Sequence, residues 1–568
     1  MTSDKKSIAI LAEIFVKKGL RHIVISPGSR NAPIIIAFAS HRNVEALSIV
    51  DERSAAFFAL GVAQQTGKTV AIACTSGSAA LNYAPAIAEA YYQKIPLLIL
   101  TADRPAEMID MGDGQTIRQK NVYANYVKKS YELPSEINTG DEFNKTDQTI
   151  NEAINLTVSP DSGPVHINLP FAEPIYNQVE NMDWGIDIVD PNQEIKSIDK
   201  TELASLAKVW NSSSKKLLLA GMMKPNPGLC RVLGKITKDG SVVLLTETTS
   251  NLKSEDCACP CIDKVVSAIS ENEKTNFQPE LLITFGGHVI SKMVKQFIRT
   301  NKPVHHWHID PVETNMDTYQ CLTKSIPLRP MDFFAQLLPE VEPVNSGFQS
   351  LWESRNERSE QRHRDYLNTI GYSDLKVFES LLNNIPEGSH LQLGNSTPVR
   401  YVQLFKPFKK LNYFSNRGTS GIDGVVSTAA GATFVSGKPT TLITGDLAFF
   451  YDSNALMNNY LNGDLRIVII NNSGGGIFRF IPGPDTTGHL EQFFEAKHNL
   501  KAKYIAKAYD IPYYSASNLS ELNSILEYFY SPHNGKAAIL EIFTPNEKNA
   551  VILRAYFEYL KSNNGINR

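Results

Sequence analysis

Short, wholly apolar segments recur along this chain with amphipathic stretches between them, and that alternation limits the fold more than any other feature of the sequence. The first series runs from a helical N-terminal segment ending at Gly19 through His22–Ser26, Glu45–Val50, Val70–Cys74 and Leu97–Thr101, with helices expected from Asn31, over Glu52–Gln65 and over Ala79–Tyr92. SGPVHINLPFAEP (162–174) supplies one more strand. Strands separated by helices of about 10–15 residues predict a parallel, doubly wound sheet. The pattern returns in KKLLLAG (215–221), VVLLTE (242–247), ELLITFGG (280–287) and VHHWHID (304–310). It returns again in HLQLGN (390–395), LNYFSN (411–416), TTLITGD (440–446), RIVIINN (466–472) and AAILEIFT (537–544). The expected class is therefore α/β, with three doubly wound domains of mostly parallel strands at 1–180, 200–340 and 365–568. A polar linker is expected over about 176–200 and a charged helical connector over 342–364. A chain of 568 residues is too long for one core in any case.

Bulk properties exclude several classes of function. A net charge of −3 with 20% charged residues is no polyelectrolyte surface, so nucleic acid is not an expected partner. No run approaches the ~18 apolar residues of a membrane span, and MTSDKKSIAILAEIFVKKG has helical spacing without a cleavage site, so a cytoplasmic protein is expected. Six cysteines are too few for a disulfide scaffold, and Cys74 is expected as a buried thiol. Cys257, Cys259 and Cys261 form C-A-C-P-C, which lacks the C-x-x-C spacing and the fourth ligand of a zinc clip and reads as a reduced loop.

Chemistry concentrates at two strand ends. Asp446 closes one apolar segment in GDLAFFYDSNAL and Asn472 closes the next in IVIINNSGGGIF, so both belong to the carboxyl edge of a parallel sheet, where such folds bind ligands. A carboxylate, an amide oxygen and a backbone carbonyl just beyond, at Gly474, form a hard-oxygen set suited to Mg²⁺, or Mn²⁺, carrying a diphosphate. Gly474, Gly475 and Gly476 allow close approach of backbone to phosphate.

This pair resembles the G-D-G…N-N signature of the thiamin-diphosphate enzyme family, with Leu447 in place of the second glycine after Gly445 and Asp446. The resemblance implies a pyrimidine-binding first domain, a central domain and a diphosphate-binding third domain. It assigns to Glu52, in SIVDERSAAFFALG, the carboxylate that hydrogen-bonds the cofactor's pyrimidine ring and promotes its deprotonation. By its bare position Asp51-Glu52 would be only an acidic helix start. It further implies cofactor contacts from Thr75, Ser76 and Gly77, a bulky aliphatic prop at Ile422, and an apolar wall from Ile477, Phe478 and Ile481. A site built from two domains in this family forms between subunits, which implies a homodimer and allows a dimer of dimers.

A set of cations narrows the branch. ISPGSRNAP holds Ser29 and Arg30; TADRP and GQTIRQ hold Arg104, Gln115 and Arg118; GNSTPVRY and SNRGTSGIDG hold Ser396, Arg400 and Arg417. Guanidinium forks bind carboxylates in bidentate fashion, so arginines converging on a cofactor imply polyanionic substrates. Together with HINLPFAEP and NNSGGGIF, these blocks resemble the menaquinone-pathway synthases of the thiamin-diphosphate family. That resemblance implies decarboxylation of 2-oxoglutarate and addition of the remaining succinyl unit to isochorismate. Ser29, Arg30, Arg104 and Gln115 would face isochorismate, and Ser396, Arg400 and Arg417 the succinyl and carboxylate groups. Lys292, in GGHVISKMVK, matches a family lysine that reaches the site, and Met293 stands where some members have a second cation. Two other readings remain: another thiamin-diphosphate decarboxylase or carboligase, sharing Glu52, Asp446 and Asn472 without the arginines, or a non-catalytic nucleotide-binding regulatory protein. Against the latter, no G-x-G-x-x-G or P-loop follows any of the strands.

Overall fold

A computed structural model of the chain describes residues 1–180, 182, 184–191, 197–252, 261–312, 315–407, 411–532 and 535–562. After a two-residue strand β1 (Thr2–Ser3), the first sheet is built from β2 (His22–Ile25), β3 (Glu45–Ser48), β4 (Val70–Cys74), β5 (Leu97–Asp103), β6 (Ser130–Glu132) and β7 (Val165–Pro170). All of its pairings are parallel, in the order β3-β2-β4-β5-β7-β6. β4 is apolar along its whole length because both faces are covered, and β5 and β7 are mostly apolar, with Thr101, Asp103, His166 and Asn168 among their buried residues. Ile72, Cys74, Leu97 and Ile99 face the helix Glu52–Thr66, while Ala71, Ala73, Leu98 and Leu100 face the helix Lys6–Lys17.

β8 (Gln178–Val179) lies inside the segment expected to be linker and pairs antiparallel with β1, pinning the chain's start to the end of the first unit. The helix expected over Ala79–Tyr92 is two helices, Ser78–Asn82 and Ala84–Gln93. Pro85 has no N–H to continue the first, and its fixed φ suits the first turn of the second.

The central sheet consists of β9 (Lys216–Ala220), β10 (Val242–Thr246), β11 (Leu281–Phe285), β12 (His305–Asp310) and β13 (Lys324–Pro327), in the parallel order β10-β9-β11-β12-β13. The third sheet contains β14 (His390–Leu393), β15 (Asn412–Ser415), β16 (Thr440–Gly445), β17 (Leu465–Asn471), β18 (Tyr513–Ala516) and β19 (Ala538–Phe543). Its order, β15-β14-β16-β17-β19-β18, repeats that of the first sheet strand for strand.

These two sheets share a core. The helix Val425–Ser436 packs along Glu52–Thr66, and a single apolar cluster runs from Ile72 and Ile99 through Phe57, Phe58 and Val426 to Leu442 and Ile467. The helices meet at glycines. A Cβ on Gly61 would lie 2.1 Å from the Thr428 carbonyl oxygen, and one on Gly431 would lie 2.0 Å from that of Phe58.

The expected connector is the helix Phe348–Leu367, tied to the central unit on one side and to the C-terminal helix on the other. Lys264 pairs with its Glu360, and His363 Nδ1 lies 2.8 Å from the Tyr556 hydroxyl on the C-terminal helix Asn546–Lys561. Arg355 donates to Glu273 and to the Ala268 carbonyl of the central unit. Hydrogen bonds from Arg355 and then Ser270 hold the Glu273 carboxyl down at about 2. Because that lies below the ordinary 4.5, the stabilisation is complete above pH 4.5 and is lost as pH falls toward 2. Glu273→Gln is expected to lower Tm at pH 6–7, with the gap to wild type closing as pH is taken from about 4.5 to about 3 in scanning fluorimetry.

Candidate active site

Strand register creates the acidic end of the site. Gly445 pairs with Ile470 across β16 and β17, which sets Asp446 level with Asn471, and Asn472 follows one residue further at the same carboxyl edge. Asp446 is 2% exposed; its Oδ1 accepts from the Leu447 N–H at 2.7 Å and its Oδ2 from the Gly474 N–H at 2.9 Å, with His498 Nε2 at 3.4 Å. Asn472 is also buried, and its Oδ1 accepts no hydrogen bond. Gly474 has φ +147°, and a Cβ there would stand 2.6 Å from the Glu495 carbonyl oxygen, so only glycine fits. Glu495 clamps this loop. Its carbonyl accepts from the Gly475 N–H at 2.7 Å, and its buried carboxylate takes Arg479 at 2.5 Å and Asn546 at 2.9 Å. Behind Asn472, burial pushes the Asp374 carboxyl up to about 6, with a hydrogen bond to Thr544 opposing and the Asp446 charge adding.

The first sheet presents a second constellation at its own carboxyl edge. Asp51 caps the helix Glu52–Thr66 by accepting from the Ser54 N–H at 3.1 Å and reaches across to Asn454 Nδ2 at 2.8 Å. Glu52 follows and accepts from Asn82 Nδ2 at 3.4 Å. Gly28 sits against Thr75, where a Cβ would be 2.3 Å from the threonine Cβ, and the Arg30 N–H donates to Thr75 Oγ1. The Ser76 hydroxyl is buried and unpartnered. Gly77, at φ +88°, donates its N–H to the buried Gln119 Oε1 at 2.8 Å and backs onto the Gln115 backbone, itself at φ +57°. Ser29 is exposed beside this edge.

The cations are not equivalent. Arg30 is buried and its guanidinium is engaged by the Phe171 carbonyl at 3.0 Å and by Glu173 at 3.1 Å. Arg118 points away to an exposed pair with Asp110, the ordinary fate of a surface arginine. Arg104 donates to the Gly114 carbonyl and keeps a buried Nε without a partner. Arg417 donates to Asn395 Oδ1 at 3.0 Å and likewise keeps a free, buried Nε. Arg400 makes no ion pair among the described residues, although half-buried. It lines a cavity of about 110 Å³ with Lys292, Met293, Ile477 and Ile481. Ser396, at φ +71°, occupies the N-cap position of the short helix that carries Arg400 without a capping side-chain bond. Phe478 packs on Gly475 and Phe494 beside this cavity, and Ile422 is 38% exposed.

Several contacts cross between the first and third units: besides Asp51 with Asn454, the Ser48 N–H donates to the Tyr460 hydroxyl at 2.7 Å and Gln392 Nε2 donates to Gln64 Oε1 at 2.9 Å. Glu89, buried on the helix Ala84–Gln93, accepts from the N–H groups of Gly418 and Thr419, both at 2.7 Å, and so grips the loop that bears Arg417. No contact among the described residues joins Glu52 itself to Asp446, Asn472 or Gly474. Gln119 could have been singled out from GQTIRQ, whereas Glu89 and Glu495 sit in no motif. Cys261 is buried with a free thiol, and Cys257 and Cys259 lie outside the described residues.

Comparison with known proteins gives this geometry a context. Residues 6–122 match a family model described as the N-terminal TPP binding domain of thiamine pyrophosphate (thiamin diphosphate) enzymes, and residues 196–391 match the middle domain of the same group. A 2-succinyl-5-enolpyruvyl-6-hydroxy-3-cyclohexene-1-carboxylate synthase of Flavobacterium johnsoniae is 46% identical over 97% of this chain and 98% of its own. Synthases of the same name from Christiangramia forsetii and Porphyromonas gingivalis are 45% and 40% identical, covering 96% and 98% of this chain and 97% and 98% of theirs. The chain belongs to this synthase family. The expectation of a thiamin-diphosphate enzyme with an α/β fold is thus met, and strands β2 to β5 of this synthase-family chain lie within the residues matched to the N-terminal TPP binding domain. Gly474→Ala is expected to leave far-ultraviolet circular dichroism unchanged while weakening thiamin diphosphate binding by about tenfold or more in calorimetry, because the Glu495 carbonyl must move to admit the methyl.

Proposed function

We propose that the chain catalyses decarboxylation of 2-oxoglutarate and 1,4-addition of the succinyl unit to isochorismate, releasing CO₂ and 2-succinyl-5-enolpyruvyl-6-hydroxy-3-cyclohexene-1-carboxylate for menaquinone synthesis. The observation that carries this reading is Arg400, a half-buried guanidinium with no ion-pair partner among the described residues, on a cavity it shares with Lys292 and close to Arg417. Cations kept free at a partly apolar cavity suit a dicarboxylate. Near-full-length identity to synthases of that name supports the choice of substrates.

The residues fit the implied cofactor. The orphaned, buried Asn472 Oδ1, the Asp446 carboxylate and the Gly474 carbonyl are the oxygens that would hold Mg²⁺, with Mn²⁺ an alternative of the same ligand preference. Thiamin diphosphate, when bound, supplies an acidic carbon that attacks the 2-oxo group and takes up the electrons left when CO₂ departs. Glu52 holds and exchanges the proton on its pyrimidine nitrogen, and Thr75, Ser76 and Gly77 line its path. Leu447 contributes its N–H to the metal-binding carboxylate, which needs no glycine. Ile422, Ile477, Phe478 and Ile481 exclude water around the reacting carbon. Arg400, Arg417 and Ser396 fix the carboxylates of 2-oxoglutarate, while Ser29, Arg30, Arg104 and Gln115 face isochorismate and Lys292 adds positive charge. Fixed cations of this kind stabilise charge as it moves, without solvent reorganisation.

Separation of Glu52 from Asp446 within one chain supports a homodimer whose sites are completed by the second copy. Exposed Leu81 and Tyr92, each 49% exposed, offer apolar surface for it. Among the described residues no helix is long and apolar enough to cross a membrane. Free thiols at Cys74, Cys230, Cys261 and Cys321 suit a reducing cytoplasm.

The decisive assay follows isochorismate absorbance with 2-oxoglutarate, thiamin diphosphate and Mg²⁺, omitting each in turn. Consumption is expected only in the complete mixture, and decarboxylation without isochorismate loss would overturn the branch. Glu52→Gln is expected to bind the cofactor yet turn over about 10²-fold or more slowly. Light scattering is expected to give at least twice the 63.0 kDa chain mass.

A further inference from the structure

Glu247 is a buried carboxylate that the reaction described above does not use. It stands at the carboxyl end of β10, 3% exposed, and makes no ion pair among the described residues. Its two oxygens accept from the Ile290 N–H at 2.9 and 2.8 Å, and Oε1 also accepts from the Ser291 N–H at 2.7 Å. Burying a carboxylate without a paired cation is expensive, and a turn of this size can close on backbone groups alone. Burial pushes the Glu247 carboxyl up to about 7, the two backbone bonds and the Arg417 charge opposing.

The turn it grips leads straight into the site. Ser291 caps the helix Lys292–Thr300, its Oγ accepting from the Val294 N–H at 3.0 Å and donating to Asp263. Asp263 is a second, partly buried carboxylate here; it lines the cavity with Lys292 and Arg400, and burial raises its proton affinity while the Ser291 bond and then the Arg400 charge oppose. Both carboxylates therefore lie within electrostatic reach of a substrate-site arginine, yet neither binds one directly. Lys292, Lys295, Arg400 and Arg417 are gathered at this junction, where burial first, and the neighbouring guanidinium charges after it, lower the proton affinity of Arg417 and Lys295. Four cations held this close need compensating negative charge. Direct ion pairs would supply it at the cost of occupying the guanidinium forks.

We propose that Glu247 and Asp263 are positioning residues: they hold the Ile290–Ser291 turn so that Lys292 stands beside Arg400, and they balance the cation cluster from behind while its forks stay open to substrate carboxylates. The inference rests on the substrate reading above for the role of Lys292, and on geometry alone for the turn.

The test is a double-mutant cycle on the cofactor-loaded enzyme, with Glu247→Gln, Asp263→Asn and Lys292→Ala alone and in pairs, read as kcat and KM for each substrate. Hydrogen exchange across residues 286–294 is followed in parallel. Glu247→Gln keeps the size of the side chain but turns an N–H donor toward backbone N–H groups. It is expected to speed exchange in that segment and to raise by about tenfold to a hundredfold the KM of the substrate that responds to Lys292→Ala. In the Lys292→Ala background it should add less than about twofold. Should Glu247→Gln fail to fold, Ser291→Ala, which cuts the link to Asp263 and leaves the Glu247 contacts, takes its place in the same cycle. Multiplying losses, or a lowered Tm with exchange and KM unchanged, overturn the proposal. A wild-type enzyme that does not consume isochorismate counts against the proposed reaction and not against this inference, which exchange in Glu247→Gln or Ser291→Ala then decides.

Discussion

The close approach of the helices Glu52–Thr66 and Val425–Ser436 is the contact on which the rest of this molecule depends. Glycine at positions 61 and 431 brings the two backbones together, and Phe57, Phe58, Val426 and Ala429 then fill one core that belongs to both outer sheets. Each large side chain buried there contributes on the order of 1.5–3 kcal/mol. The orientation of one sheet edge relative to the other is fixed by that core. Glu89 can reach the 418–419 loop, and Asp51 can reach Asn454, only because the helices lie this close.

Much of this was legible in the sequence because the inner strands have no alternative. Val70–Cys74, Leu281–Phe285 and Leu465–Asn471 are covered on both faces, so their apolar runs announce them. Ser130–Glu132, Lys324–Pro327 and Tyr513–Ala516 escaped notice because they are edge strands, paired on one side and only partly buried, and their polar residues carry no periodic signal. The break at Tyr83 was visible in Pro85 and was overridden by the apolar periodicity around it. Site residues follow the same division. The position of Asp446 and Asn472 at strand ends was readable, but that Arg30 is engaged by Glu173 and Arg400 is not depends on contacts no local pattern encodes.

Buried acids do the quiet structural tasks around the site. Glu495, Glu89 and Glu247, with the partly buried Asp263, each spend a carboxylate on backbone N–H groups or a neighbouring side chain close to the candidate site. Rigid loops built this way hold their geometry before any ligand arrives, which is what pre-organised electrostatics requires.

The identical strand order of the first and third sheets places the two contacting helices at equivalent points, each following the second strand of its sheet. Gly61 meets the partner helix's backbone much as Gly431 meets its own, so the contact is nearly self-complementary, as an interface between two like subunits would be. A junction that other proteins leave to association is here covalently enforced. It cannot be lost by dilution, so the placement of the two sheet edges relative to each other is the same in every copy of the chain at any concentration.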